Sequence, residues 1–144
     1  MEYGSLREKI AAERKERQER YRKFEVVWAT AVTEGNRAAA SVVPPTMIVS
    51  QHADQLDACS PIVNQWTAPE GPCGFAEIRL SKGNTSFAHW AKKNAGFRKH
   101  YHGGLYHWVS AFGQSMVRKE AFARAAANVL KVNGIDAYSS SRMD

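Results

Sequence analysis

The spacing of apolar positions changes three times along this chain, and each change predicts a different element. Residues 5–25 are strong helix formers with few apolar side chains. Glu13–Arg17 and Glu16–Arg20 stand four apart with the acid first, the favourable order for helical ion pairs. From there Tyr21, Phe24, Trp28, Ala31 and Val32 recur at helical spacing. The pattern predicts one helix from about Leu6 to Thr33, its first half solvated and its second half docked. Heptads are not sustained, which argues against a long coiled coil.

Beyond Gly35 the pattern loosens. SVVPPTMIVS, Ser41–Ser50, is extended in character, and Pro44–Pro45 confines any strand to an edge or to Thr46–Ser50. Residues 51–74 are the least regular. Asp54 is placed to cap a short helix ending before Pro61, and APEGPCG, Ala68–Gly74, has the composition of a turn-rich linker.

From Phe75 the periodicity becomes regular. FAEIRL alternates as a strand does, and Asn84, Thr85 and Ser86 then offer caps for the helix FAHWAKKN, which ends at Gly96. FRKHYH and LYHWVSAF flank Gly103–Gly104, a hairpin pattern. SMVRKEAFARAAANVLKV is an Ala-rich helix stopped by Asn133–Gly134, and IDAYSS is strand-like. The order β-α-β-β-α-β predicts a ferredoxin-like α+β module, an antiparallel sheet with two helices on one face. The chain thus divides into a charged helix at 1–40, an extended segment and irregular linker at 41–74, and the module at 75–144.

A two-residue turn at Gly103–Gly104 would set Tyr101 opposite Tyr106 and His100 opposite His107. Alternation then divides the hairpin into two faces. One holds Arg98, His100, His102, Leu105, His107, Val109 and Ala111. The other holds Phe97, Lys99, Tyr101, Tyr106, Trp108, Ser110 and Phe112. If the first face is core, the open sheet displays Tyr101, Tyr106 and Trp108 beside Lys99, joined by Phe75 and Arg79. If the second is core, its aromatics pack on Phe122, Ala126 and Val129, and three histidines face solvent.

Aromatics interleaved with cations on an open sheet can stack unpaired bases and hold phosphates. GGLYHWVSAF, Gly103–Phe112, resembles the third-strand motif of RNA-recognition-motif domains. The resemblance implies stacking positions at Tyr106 and Trp108 and a buried one at Val109. The chain departs from that motif at its start, which lacks Lys or Arg, at His107 and at Ala111. On this reading Arg79, Lys92, Lys93, Arg98, Lys99, Tyr106 and Trp108 contact nucleic acid.

Two other constellations carry chemistry. His100, His102 and His107 share a face in the expected register, and three imidazoles so placed can bind zinc with a fourth position open. No neighbouring carboxylate orients the rings, however, and the surroundings are basic. Lys82-Gly83-Asn84-Thr85 joins a strand to a helix start, where backbone N–H groups attract anions. It lacks the spacing of a phosphate-binding P-loop.

Composition narrows the function classes. Hydrophobic residues are 44% and charged residues 24% of 144, ordinary globular values. No apolar run approaches the roughly 18 residues of a membrane span, and the charged start does not resemble a signal peptide. Cys59 and Cys73 form no metal pattern and are expected as free thiols in a reducing, cytoplasmic setting. Net charge is +6, but residues 26–77 carry −4 and residues 78–144 carry +8. Such crowding of one sign favours an anionic partner. Motifs of serine hydrolases, zinc proteases and dinucleotide enzymes are absent, so binding is favoured over catalysis.

The expectation is a basic, non-enzymatic protein that binds single-stranded nucleic acid and needs no cofactor. The alternative is an accessory protein, such as a small bacterial or phage factor. It would associate with a protein partner or with itself through the N-terminal helix or a sheet edge. A third reading is a small His-dependent or anion-binding enzyme.

Overall fold

A computed structural model describes residues 3–144 of the chain. Helix α1 runs Tyr3–Ser41 over 39 residues, about 58 Å at 1.5 Å per residue. Side chains 4–20 are all exposed, and packing begins at Tyr21, where the apolar stripe starts. The helix continues eight residues past the expected end at Thr33. Ala38–Ala40 favour it, and Gly35 is tolerated for a packing reason. A Cβ at Gly35 would sit 2.7 Å from the Phe122 ring, so glycine lets α1 close onto that ring. Pro44–Pro45 then prevent further helix.

Next comes a hairpin across the stretch expected to hold a short strand and an irregular segment. β1 (Met47–His52) pairs antiparallel with β2 (Ile62–Ala68), Val49 opposite Trp66. Asp54 caps no helix; its carboxylate accepts from Leu56 N at 3.0 Å in a tight turn. The Ser60 hydroxyl donates to the carbonyls of Asp54 and Asp57, stapling the connection. β1 takes in the short strand expected within Thr46–Ser50 and extends it to His52, whereas β2 lacks the alternation of a half-buried strand and carried no such signal. Six of the seven β2 residues are exposed.

The remaining elements are β3 (Gly74–Leu80), α2 (Ser86–Asn94), β4 (Arg98–Lys99), β5 (Leu105–Trp108), α3 (Met116–Val132) and β6 (Ala137–Met143). The four strands form one sheet in the order β4-β5-β3-β6, every neighbouring pair antiparallel. The protein is therefore α+β, with a long N-terminal helix and two antiparallel sheets. Thr85 caps α2, its hydroxyl accepting from Ala88 N at 3.1 Å. Ser115 caps α3 in the same way, and Asn133 with Gly134 (φ +80°) ends it.

Alternation along β3 sorts the sheet into two faces. Ala76, Ile78 and Leu80 are buried with Leu105, Val109 and Ala137 against α2 and α3. Phe87 and Trp90 of α2 and Phe122 and Leu130 of α3 complete this core. α1 lies over the helices, with Phe24 against Phe87 at 5.3 Å and Trp28 against Phe97 at 5.3 Å, both edge to face. Arg118 on α3 joins three segments. Its guanidinium donates to the Ala39 carbonyl and to the Glu70 carboxylate, each at 2.6 Å, tying α1, the base of the β1–β2 hairpin and α3 together.

The β4–β5 hairpin departs from the expected register. Arg98 lies opposite Tyr106 and Lys99 opposite Leu105, so His100–Gly104 form a five-residue connection. Gly103 N donates to the His100 carbonyl, which puts Tyr101 and His102 at the centre of a turn. Gly104 (φ +69°) then passes so close to β3 that a Cβ would collide with the Leu80 carbonyl oxygen. The shift sends Phe97 into the core instead of onto the face of Tyr106 and Trp108. Among the described residues no helix is long and apolar enough to cross a membrane. Cys59 and Cys73 are free and exposed.

Candidate binding groove on the open sheet face

Among the described residues no helix covers the second face of the four-stranded sheet. It holds a groove of about 440 Å³ whose floor comes from Phe75, Glu77 and Arg79 of β3. Tyr106 and Trp108 of β5 form one side, Ser140 and Arg142 of β6 the other, and Lys99 of β4 with His100, Tyr101 and His102 of the connection closes one end. Registers Glu77↔Trp108 and Arg79↔Tyr106 put these side chains on one face by pleat alone.

Rings and cations alternate across the groove. Phe75 and Trp108 pack at 5.2 Å between centroids with planes 35° apart. Trp108 is 40% exposed, so its ring is held from one side and open on the other. Arg142 lies 5.6 Å from the Phe75 centroid, and buried Lys119 of α3 lies 5.5 Å from it. Phe75 is thus gripped by two cations through cation–π attraction. Arg79 stands over Tyr138 at 5.6 Å. In that connection the His100 and Tyr101 rings stack at 4.9 Å, 16° from parallel, with Tyr101 87% exposed.

Electrostatically the groove is positive. Among the described residues Glu77 is the one carboxylate lining it, against Arg79, Lys99 and Arg142. Its oxygen lies 3.6 Å from Arg79 and 3.9 Å from His100 Nε2. The Arg79 Nε–H is buried and has no acceptor among the described residues. An unpaired buried donor costs about 1–3 kcal/mol, a cost that an oxygen reaching the guanidinium would relieve.

The sites expected from sequence are brought together only in part. Arg79, Lys99, Tyr106 and Trp108 meet in the groove. Arg98 lies at its outer edge, in a separate depression that also touches Tyr106 and Trp108. Lys92 and Lys93 lie elsewhere. They stand in the last turn of α2, on the helix-covered side, where they complement that helix's negative end. Lys82-Gly83-Asn84-Thr85 joins β3 to α2 away from the groove: the Thr85 hydroxyl accepts from Ala88 N, and Lys82 and Asn84 are exposed.

The histidine triad is separated. His100 and His102 remain in the β4–β5 connection, their rings 5.5 Å apart. His107 faces the helices instead, 5.1 Å from the Trp28 ring and 5.3 Å from Phe97. Its Nδ1 donates to the Ala95 carbonyl at 2.8 Å. Burial among these rings lowers the His107 pKa below its ordinary value, partly opposed by that hydrogen bond. The register shift is the cause, since it removes His100 from the position opposite His107. Among the described residues no group of three His, Cys, Asp or Glu could hold a metal ion.

Sequence reasoning missed Tyr138, Arg142 and Glu77. The first two belong to β6, whose alternation Tyr138, Ser140, Arg142 runs three residues past the strand expected to end at Ser140. Glu77 was visible in the alternation of β3 beside Phe75 and Arg79. Compared with protein families, with curated proteins and with solved structures, the chain matches none.

Proposed function

We propose that this protein is a small binding protein that takes single-stranded nucleic acid across the open sheet face. One observation carries the reading: Phe75 and Trp108 stand as a ring pair on adjacent strands β3 and β5, flanked by Arg79, Arg142 and Lys99 with one opposing carboxylate. Every base has a face that can stack on an aromatic ring, and every nucleotide carries a phosphate for a neighbouring cation. The order β4-β5-β3-β6 with helices on one face supports reading residues 74–143 as a ferredoxin-like module. In that reading β3 and β5 are the central strands, where an extended ligand crossing the sheet must pass. The +8 charge of residues 78–144 adds a sequence-independent attraction.

The test is a titration of a labelled single-stranded oligonucleotide at several salt concentrations. Affinity should fall as salt rises, with a slope of about −0.7 per phosphate contact. Lys99→Ala should make the slope shallower by roughly one contact. No binding even at low salt would end this reading.

A further inference from the structure

Residues 47–68 form an element that the rest of the chain leaves uncovered. Ile48, Ile62, Val63 and Trp66 are each 50–64% exposed, and Leu56 near the tip is 98% exposed. These residues occupy both faces of β1–β2. A two-stranded hairpin alone is marginally stable in water, and apolar side chains on both faces stabilise it only when something covers them.

Charge indicates what covers it. Residues 42–69 carry Asp54 and Asp57 and neither Lys nor Arg, giving −2, so the remainder of the chain carries +8. A second copy therefore offers a body of opposite sign. Contact between two hairpins would set acid against acid, which favours hairpin against body.

The body has a place of matching shape. β6 ends the sheet and pairs with β3 alone among the described strands. Its outer row of N–H and C=O groups is an open template for another strand, and its seven residues equal the length of β2. Beside that edge, on the helix side, lies a cleft of about 600 Å³ lined by Ala38, Ala121, Ala125, Lys131 and Ser139. Alanines leave room for a bulky ring, and Lys131 supplies a cation at the rim.

We propose that the β1–β2 hairpin of one copy adds to the β6 edge of the next. Val49 and Trp66, which face each other across the hairpin, enter the alanine-lined cleft, and the acidic turn lies towards Lys131. Each copy donates a hairpin at one place and receives one at another. Such a head-to-tail contact builds a ring or an open chain, not an isologous pair. The groove on the open face is not consumed, so this assembly is independent of nucleic-acid binding.

Light scattering or sedimentation of the full chain over a concentration series tests it. Mass should rise in multiples of the 16.1 kDa chain. Trp66→Glu disables the donor, and Ala125→Glu with Lys131→Glu disables the acceptor. Each variant alone should return to the single-chain mass with its melting curve intact. Should Trp66→Glu melt early, Val49→Asp disables the same hairpin face, and Lys131→Glu alone serves likewise for the acceptor. Mixed together, the donor and acceptor variants retain one working hairpin and one working edge, so they should form a dimer and nothing larger. A wild-type chain that stays single at every concentration overturns the proposal. So does association lost with the donor variants but kept by the acceptor variant, which would mean hairpins pairing with each other. A mixture that stays single-chain overturns it as well.

Discussion

Replacing Trp108 by alanine separates a stacking platform from an ordinary packing residue, because the two roles predict different pairs of numbers. A fully buried Trp removes about 150–250 Å² from water. At 40% exposure Trp108 has about three-fifths of its surface covered, or about 90–150 Å² on that scale. At about 25 cal/mol per Å² this amounts to about 2–4 kcal/mol. That figure is an upper bound, since the denatured chain is itself partly compact and alanine keeps its own methyl. The expected loss of stability is therefore about 1.5–2.5 kcal/mol, below the 3–5 kcal/mol of a buried Trp truncation. It should appear as a fall of about 6–10 °C in Tm. A base stacked on the open side contributes about 1–3 kcal/mol, so affinity should weaken roughly 5- to 150-fold. Trp108→Leu keeps much of the apolar cover over Phe75 and loses the ring. It should follow alanine in affinity and the parent chain in stability. The assay is thermal melting and oligonucleotide titration on the same sample, with binding measured well below Tm. Unchanged affinity per folded molecule would refute the platform.

Three further outcomes follow from the packing. His107 stays neutral in the folded chain because burial lowers its pKa, whereas in the unfolded chain it takes a proton near 6.5. Its contribution to stability is therefore complete above pH 6.5 and is lost as pH falls below that value towards the lower folded pKa. His107→Gln keeps a neutral donor for the Ala95 carbonyl, so its melting temperature should drop less than that of the parent chain between about pH 7.5 and 5.5; equal drops would contradict the assignment. Deleting residues 1–20 should leave melting almost unchanged, because side chains 4–20 are all exposed, and a large loss of Tm would show that this half of α1 is docked. Gly104→Ala should destabilise by about 2–3 kcal/mol, since it forces an alanine into a left-handed backbone and against the Leu80 carbonyl. A melting curve like the parent's would mean that the β4–β5 connection relaxes freely.

Elements with a repeating local pattern are legible in the amino-acid sequence alone. The apolar stripe from Tyr21, the alternation of β3, the cap Thr85 and the Asn133–Gly134 stop all act within a few residues. Hydrogen bonding and side-chain period therefore suffice to specify them. Half of the candidate site is legible for the same reason: Phe75 and Arg79, and Tyr106 and Trp108, are pairs two or four apart on single strands. What tertiary structure decided was everything that depends on which segments meet. Gly35 reads as a helix breaker until the Phe122 ring is seen to need its missing Cβ. The Gly103–Gly104 pair reads as a two-residue turn, and only the approach of Gly104 to the Leu80 carbonyl lengthens the connection. That shift buries Phe97, turns His107 towards Trp28 and dissolves the histidine triad. β2 stayed illegible because six of its seven residues are exposed, so no half-buried alternation was written into it, whereas part of β1 could be read at Thr46–Ser50. Local pattern records contacts within an element and the direction of its buried face. The partner across that face is chosen by the fit of distant surfaces, which no short window of sequence contains.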